Sequence, residues 1–432
     1  EKAHFAATGQ NGKKSDSVED VRKKDDLTPR GMVLATLAIV LPPLLAMVVF
    51  PTPQDAGFLP LLPDNLLSSN CSLPEIHSAD DVSIIIPYYH EEWFRLEITL
   101  RSILRHTNLT LIQEILLVSD GNGPEGIFQK KLQAMSSKVE VIVNQENKGL
   151  IVTKMEAAAR AKASVLMFLE PHVVVTPGWL EPLLARLEKE PKALVMPSLD
   201  VLDQEMKTYA KMQFMYWRFE WNLNLVACNP LQKDIDTSMP YPSPATSGGI
   251  YAIRKEWWDY LEFFDPKLIR WGGDHVEASH KVWRCGGRVE IHPCSRVGHW
   301  FREAKDRPYA VEVPDVVRNY KRLAEVWLDD HKKSFYKVKP EARPMDIGTM
   351  QEMKATRERL QCHDMDWYLK NVDVELAWEE NHICIPGANK DQDGCASKTP
   401  APQRSTLDKV MSVKEFRKAQ KLLSPEFRLI ST

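Results

Sequence analysis

The feature that most constrains the fold of this chain is an alternation of strand-like and helix-like segments between residues 82 and 169. The predicted strands are 82–89, 114–120, 139–144 and 164–169, and helices are predicted up to Arg105 and over 150–162. Strands that alternate with helices indicate a mostly parallel sheet with helices on both faces. We therefore predict an α/β fold that binds ligands beyond the carboxyl ends of its strands.

Two acidic residues stand at that predicted edge of the sheet. Asp120 ends the second strand and is followed by Gly121-Asn122-Gly123, a turn signal, whereas Glu170 directly follows the fourth strand. A nucleotide would be held at this edge. The net charge of −3 and the pI near 6.5 give the chain no basic field, which argues against nucleic acid as the main partner. An anionic ligand would have to be held by a metal ion or by a few basic side chains.

The amino-terminal region carries a candidate membrane anchor. Residues 31–50 form a run of twenty residues without a charge, and about 20 apolar residues are needed to cross a bilayer. No Lys or Arg follows before Leu73, and the basic residues that precede the run are Lys13, Lys14, Arg22, Lys23, Lys24 and Arg30. This asymmetry predicts a single-pass type II signal anchor, with a cytosolic tail (1–30) and a lumenal stem (51–80). A cleaved signal peptide and a buried helix are the alternatives.

A lumenal location would make the seven cysteines candidates for disulfide bonds. It would also expose two sequons to glycosylation, Asn70-Cys71-Ser72 and Asn108-Leu109-Thr110.

Several short motifs carry residues suited to the transfer of a group from a nucleotide diphosphate. Glu170 and His172 flank Pro171 at the end of an apolar strand, so both side chains could reach one divalent cation. The alternative is a strand-terminal acid beside a surface histidine. Further along, the segment 269–302 combines a Trp-Gly-Gly-acid turn, a second acid, two cysteines and a terminal His-Trp-Phe-Arg.

These motifs, in this order, resemble the catalytic core of the polypeptide N-acetylgalactosaminyltransferases, the Golgi enzymes that begin mucin-type O-glycosylation. The resemblance spans residues 71–373. It implies a GT-A-like glycosyltransferase fold, a Rossmann-like mixed sheet sandwiched by helices, as a single catalytic domain at 81–373. The extension 374–432 is too short for the ricin-like lectin domain that the family usually appends, so we expect that domain to be missing; 411–429 could form a basic amphipathic helix.

By this resemblance the metal ligands are Glu170, His172 and His299, and the metal is manganese. The family motif at the first two positions is Asp-x-His, so Glu170 is one methylene longer than the family residue. Arg302 resembles a lid residue that closes over phosphates, and Tyr309 belongs to the same lid segment.

The resemblance also assigns a catalytic segment around the Trp-Gly-Gly turn. Trp271 and Asp274 fall in it, although the family has Glu at the position of Asp274 and Asn at that of His275. Glu277 matches a further acid; its alternative role is to tie its helix to a neighbouring element.

Donor-binding positions are implied by three other matches. His90-Glu91-Glu92 resembles the family's His-Asn-Glu, and Asp120 matches the second of two paired aspartates, the first being Ser119 here. Lys154 matches the second arginine of Gly-Leu-Ile-Arg-x-Arg, where Val152 replaces the first. Gly248 and Gly249 could let the backbone approach the sugar closely.

The resemblance further implies the disulfides Cys71–Cys294 and Cys285–Cys362. Cys384 and Cys395 could close a local loop, which leaves Cys228 over.

The resulting hypothesis is a retaining, manganese-dependent Golgi enzyme that transfers N-acetylgalactosamine from UDP-GalNAc to Ser or Thr hydroxyls of polypeptides. One alternative is a related transferase for another UDP-sugar, which the segments 246–251 and 271–275 would decide. The other is a catalytically silent Golgi protein that binds nucleotide or glycopeptide. Five departures from the family pattern favour it: Ser119, Val152, Glu170, Asp274 and His275.

Overall fold

The computed structural model describes residues 58–76, 81–229, 238–302, 306–307 and 313–380. The predicted anchor (31–50), the carboxyl-terminal helix (411–429), Tyr309, Cys384 and Cys395 lie outside the described residues. No helix in the described part of the chain is both long and apolar enough to cross a membrane.

The first half of the domain follows the predicted alternation of strands and helices. Its elements are β1 (Val82–Tyr88), α1 (Trp93–His106), β2 (Ile112–Asp120), α2 (Pro124–Ile127), α3 (Gln129–Gln133), β3 (Val139–Asn144), α4 (Leu150–Arg160), β4 (Val165–Phe168), β5 (Val173–Val175) and α5 (Glu181–Lys189). The four predicted strands are confirmed to within two residues at each end. The helix predicted over 150–162 ends at Arg160.

The second half contributes further strands and a group of helices. Its strands are β6 (Ala193–Leu202), β7 (Tyr209–Ala210), β8 (Tyr216–Phe219), β9 (Leu225–Cys228), β10 (Tyr241–Pro242), β11 (Tyr251–Arg254) and β12 (Arg288–His299). Its helices are α6 (Lys255–Leu261), α7 (Asp274–Arg284), α8 (Val313–Trp327), α9 (Lys332–Val338), α10 (Gln351–Leu360), α11 (Met365–Asn371) and α12 (Val374–Glu380).

The main sheet is mixed rather than mostly parallel. Along its length the strand order is β10-β12-β6-β11-β4-β1-β2-β3, with β5 added beside β12 and β7 beside β6. Strands β4, β1, β2 and β3 are parallel, whereas β11 runs antiparallel to both β4 and β6. The first-half pattern therefore predicted its own part of the sheet, and the antiparallel insertion of β11 makes the whole sheet mixed.

Apolar clusters cover both faces of the sheet, as the apolar sequences of its strands require. In β1, Ile84 and Ile86 pack into one apolar cluster with α1 and α5, whereas Ile85 packs into the other with α4 and α7. Successive side chains of a strand point to opposite faces, so a strand buried on both sides is apolar throughout. All seven residues of β1 are buried.

Two disulfide bonds fasten the second half of the domain. Cys71 is bonded to Cys294, and Cys285 to Cys362, which confirms both predicted pairs. Cys228 is the free cysteine of the described residues and is buried.

Candidate functional site

A cleft of about 470 Å³ opens at the carboxyl edge of the parallel strands. The predicted site residues that line it are Asp120, Glu170, His172, Trp271 and Arg302. Parallel α/β sheets bind ligands at this edge, because the strand ends and the loops after them converge there. The predicted residues that do not line the cleft are His90, Lys154, Gly248, Gly249, Asp274, Glu277 and His299, and all seven belong to the described part of the chain.

The strand pairing explains how two histidines far apart in sequence become neighbours. β5 runs antiparallel to β12, and its register pairs Val173 with His299. The preceding residue, His172, consequently meets the end of β12: its carbonyl accepts a hydrogen bond of 3.2 Å from the backbone N–H of Trp300. The ring centroids of His172 and His299 lie 5.1 Å apart.

The chemistry of these side chains fits a divalent cation. The Nδ1 atom of His299 is buried and has no hydrogen-bond partner, and burial lowers the pKa of this imidazole well below its usual value, with His172 and Arg302 adding to the effect. Neutral imidazole is the form that binds metals. Glu170 lines the same cleft and would complete a carboxylate and two imidazoles, a donor set that manganese accepts. Among the described residues, no three His, Cys, Asp or Glu side chains are already grouped as a metal site.

Glu91 is a residue of this site that the sequence did not single out. Its carboxylate is buried, and its Oε2 atom accepts a hydrogen bond of 2.9 Å from His172 Nδ1 and another from Arg302 Nη2. Burial alone would raise the pKa of Glu91, but His172, Arg302 and Arg95 together lower it below its ordinary value. Glu91 is therefore held as a carboxylate. The only signal in the sequence was the acid at the second position of His90-Glu91-Glu92, where the family motif has Asn.

Arg302 lies at the mouth of the cleft beside the two histidines. Its guanidinium contacts Glu91, approaches His172 Nδ1 to 3.4 Å and stands over the ring of Trp300 at 5.3 Å. Its Nε atom is buried without a partner. A guanidinium with an unused donor at a cleft lined by few other cations is suited to bind phosphate oxygens.

Asp274 and Lys154 form a buried ion pair. Lys154 Nζ lies 2.9 Å from Asp274 Oδ2 and donates a hydrogen bond of 2.7 Å to the carbonyl of Gly248. Both side chains are almost fully buried. Burial would raise the pKa of Asp274, but Lys154 and then His275 hold it well below its usual value. Lys154, predicted to bind the donor, and Asp274, predicted to belong to the catalytic segment, therefore bind each other at the junction of α4, α7 and the loop that contains Gly248.

Glu277 and His275 are buried on the same helix, α7. Glu277 Oε2 accepts a hydrogen bond of 2.8 Å from the backbone N–H of Asp265, and Oε1 lies 2.9 Å from Lys281 Nζ. Burial raises the pKa of Glu277 although Lys281 opposes it. These contacts agree with the alternative role of Glu277, in which it ties α7 to a neighbouring element. His275 packs near the rings of Phe219 and Tyr320, and its Nε2 atom is buried without a partner.

Asp120 shapes the wall of the cleft. Its Oδ1 atom accepts from the backbone N–H of Lys148 at 3.0 Å and from Asn144 Nδ2 at 3.1 Å, and its Oδ2 atom accepts from the backbone N–H of Gly149 at 2.9 Å. The carboxylate thus fixes the turn that begins α4. Asn147 and Gly149 of this turn line the cleft beside Asp120.

The remaining predicted residues surround the cleft. A Cβ atom placed on Gly249 would lie 2.2 Å from Glu170 Oε1, so only glycine leaves room for this carboxylate. Gly248 has a φ of +87°, which favours glycine. Trp271 lines the cleft, and the guanidinium of Arg307 stands over its ring at 5.6 Å. The side chain of His90 is exposed and lies against Tyr89.

A mixed sheet with this cleft at its carboxyl edge defines a GT-A-like glycosyltransferase fold. Residues 83–260 match the model described as "Glycosyl transferase family 2", and residues 231–304 match that described as "N-terminal domain of galactosyltransferase". The crystal structure of GalNAc-T7 with UDP, GalNAc and Mn²⁺ has a TM-score of 0.64 at 28% sequence identity, covering 70% of this chain and 58% of that chain.

The chain belongs to the polypeptide N-acetylgalactosaminyltransferase family. It is 38% identical over 330 residues to polypeptide N-acetylgalactosaminyltransferase 4 of Mus musculus, covering 74% of this chain and 56% of the relative. It is 35% identical over 301 residues to the inactive polypeptide N-acetylgalactosaminyltransferase-like protein 5 of Macaca fascicularis, covering 68% of each. The chain spans about half the length of several other relatives that it matches, for example 50% of polypeptide N-acetylgalactosaminyltransferase 6 of Homo sapiens.

Proposed function

We propose that this protein transfers N-acetylgalactosamine from UDP-GalNAc to Ser or Thr hydroxyls of polypeptides, with retention of configuration and with Mn²⁺ as cofactor. The observation that carries the proposal is the convergence of Glu170, His172 and Arg302 on one cleft at the carboxyl edge of the sheet. The relatives named as polypeptide N-acetylgalactosaminyltransferases support the same donor and acceptor.

Each of these side chains has a defined part in the proposed reaction. Glu170, His172 and His299 would hold the metal, which when bound offsets the charge of the departing diphosphate. Arg302 donates hydrogen bonds to phosphate oxygens, and Trp271 offers an aromatic wall to the bound substrate. In the proposed front-face reaction the bond from the anomeric carbon to the β-phosphate oxygen breaks. A bond to the acceptor oxygen forms on the same face, and the hydroxyl proton passes to the departing phosphate.

The test is turnover of UDP-GalNAc by the purified 432-residue chain with a pool of Ser- and Thr-containing peptides, with and without Mn²⁺. We expect metal-dependent transfer that His299→Ala abolishes and Glu170→Asp increases, because aspartate restores the shorter ligand of the family motif. The exposed His363, which stacks on Trp367 at 4.3 Å, provides the matched control His363→Ala. Turnover that His299→Ala leaves intact would contradict the assignment of this histidine.

A second candidate is a catalytically silent protein that binds nucleotide or glycopeptide. The burial of Asp274 against Lys154 favours it, because this acid does not line the cleft where an acceptor would bind. A folded chain that binds UDP but neither transfers nor hydrolyses any common UDP-sugar would select this candidate. Transfer of a sugar other than N-acetylgalactosamine would instead select the related transferase.

We further propose that residues 31–50 anchor the chain in the Golgi membrane with the catalytic domain in the lumen. The asymmetry of basic residues around this run and the two disulfide bonds support this orientation. Protease digestion of sealed vesicles tests it: we expect the domain to be protected until detergent is added. Digestion of the domain in intact vesicles would contradict it.

A further inference from the structure

Glu91 is among the most buried carboxylates of the site. Its side chain is 1% exposed. It lies between the end of β1 and the start of α1, and it lines the cleft together with His172 and Arg302. A buried carboxylate is costly unless charges or hydrogen bonds compensate it. The contacts that compensate the buried charge of Glu91 therefore indicate the role of this carboxylate.

The contact with His172 determines which nitrogen of that ring carries the proton. Nδ1 lies 2.9 Å from Glu91 Oε2, and its other close neighbour is the guanidinium of Arg302 at 3.4 Å. An ionised carboxylate and a guanidinium cannot exchange roles: the first only accepts and the second only donates. Nδ1 must therefore be the protonated nitrogen that donates to Glu91. In the neutral ring this leaves the lone pair on Nε2, which is free to bind a metal ion.

The contacts with two arginines determine the charge of the cluster. Arg302 Nη2 binds the same Oε2 atom that accepts from His172, and Arg95 Nη1 lies 3.6 Å from Oε1. With Glu91 ionised, one negative charge lies between two guanidinium groups. Arg95 is also paired with Glu92, so the main loss on replacing Glu91 with a neutral residue falls on Arg302. The charge of Arg302 would then face His172 without the counter-charge of Glu91 and would oppose a cation bound there.

We propose that Glu91 is a positioning residue that fixes His172 as the Nδ1-protonated tautomer and holds Arg302 beside it, so that Nε2 of His172 is presented to a divalent cation. The inference rests on the proposed function in one respect, since it takes His172 as a metal ligand. It does not require that sugar transfer occurs. A carboxylate that orients a metal-binding histidine in this way contributes about ten- to hundredfold to metal affinity.

Two substitutions separate the two parts of this role. Glu91→Ala removes both the acceptor for His172 and the counter-charge for Arg302. Glu91→Gln keeps an oxygen that can accept from Nδ1 but removes the charge. We expect Mn²⁺ affinity to fall by about ten- to hundredfold in Glu91→Ala and by less in Glu91→Gln. Glu91→Asp, which keeps the carboxylate on a shorter chain, should restore part of the loss.

The measurement is isothermal titration of the purified 432-residue chain with Mn²⁺ alone and, separately, with UDP in the presence of a chelator. Removal of Glu91 releases Arg302, so metal-free UDP should bind as well as or better than in the wild type. Glu97→Gln is the matched control, because Glu97 lies in the helix that follows Glu91, is paired with an arginine, Arg101, at 2.9 Å and does not line the cleft. This control should leave both affinities unchanged.

A merely structural role for Glu91 predicts a different pattern. It would weaken Mn²⁺ and UDP binding together, and that result would overturn the proposal. A loss of Mn²⁺ affinity smaller than about tenfold in Glu91→Ala would overturn it as well, as would a wild-type chain that binds no Mn²⁺. Long-range ¹H–¹⁵N spectra, with His172→Gln used for assignment, should show protonated Nδ1 in the wild type and loss of this preference in Glu91→Ala.

These outcomes are distinguishable from failure of the proposed function. A wild-type chain that binds Mn²⁺ through a Glu91-dependent site but transfers no sugar would refute the transferase and leave the role of Glu91 intact. A chain that transfers sugar with Glu91→Ala as efficiently as the wild type, at limiting Mn²⁺, would refute the role of Glu91 and leave the transferase intact.

Discussion

Replacement of Lys154 with methionine would leave the buried carboxylate of Asp274 without its cation. The pair is almost fully buried, with 2.9 Å between Lys154 Nζ and Asp274 Oδ2. Removal of one partner of a buried ion pair costs about 3–5 kcal/mol, because an uncompensated charge remains in the interior. Methionine has nearly the volume of lysine, so the change tests charge rather than packing. We therefore expect Lys154→Met to lower the free energy of unfolding by about 3–5 kcal/mol near pH 7.

The pH dependence of this loss provides a more specific test. In the wild type the folded-state pKa of Asp274 is depressed, so its contribution is fully present above the pKa of an unfolded Asp, about 3.9. That contribution is lost only as the pH falls through the depressed value. In Lys154→Met, burial dominates and raises the pKa of Asp274, so protonation relieves the penalty as the pH falls. The difference between variant and wild type should therefore shrink between about pH 7 and pH 4.

The assay is urea unfolding followed by tryptophan fluorescence and circular dichroism at pH 7 and at pH 5. The control is Lys148→Met, because Lys148 pairs with Glu156 at 2.7 Å on the surface, where an ion pair contributes at most about 1 kcal/mol. A second change, Asp274→Asn, should restore part of the stability lost in Lys154→Met. Equal midpoints for the two lysine variants, or a loss that does not depend on pH, would refute the reasoning.

Three further predictions concern other contacts. Gly249→Ala should displace Glu170 and so weaken Mn²⁺ binding about tenfold or more. The control Gly123→Ala, whose added Cβ meets nothing within 4 Å, should leave Mn²⁺ binding unchanged. Equal Mn²⁺ titration curves for the two variants would contradict this prediction. Cys285→Ser should cost about 4 kcal/mol in urea unfolding, because Cys285 and Cys362 close a loop between residues 77 positions apart; a loss below about 1 kcal/mol would argue against it. Asp200→Asn should lower the free energy of unfolding by about 3–5 kcal/mol, because it leaves the buried Arg296 without its carboxylate. Thermal unfolding measures this loss, and an unchanged melting temperature would contradict the prediction.

The parallel part of the sheet could be predicted because its strands are apolar on both faces. The run Val82-Ser-Ile-Ile-Ile contains too few polar residues for any exposed element, and the helices between the strands supply the crossovers. The strand β12 was not predicted for the opposite reason. It contains Glu290 and Arg296, which are both buried and which pair with Arg186 and Asp200 from elsewhere in the chain. Periodicity in one segment cannot reveal partners that another segment supplies.

The candidate site likewise contains residues that could be predicted from the sequence and residues that could not. Asp120 and Glu170 were found because a strand end fixes where its next residue lies. Lys154 and Asp274 were both singled out, but not as partners, because their contact joins residues 120 positions apart and depends on how α4 and α7 cross. Glu91 was missed because its partner His172 is 81 residues away and their contact depends on β1 and β4 being neighbours in the sheet.

The departures from the family motifs acquire meaning from these contacts. Lys154 and Asp274 stand where the resembling motifs have an arginine and a glutamate, and they meet each other at 2.9 Å as a shorter base and a shorter acid. Glu91 supplies a negative charge to His172, Arg302 and Arg95, the last of which is also paired with Glu92. Loss of selection would alter such positions independently and would leave buried charges uncompensated, at several kcal/mol each. Substitutions that compensate one another instead keep buried charges paired under changed geometry. We therefore expect this chain to differ from its relatives most in metal affinity and donor preference.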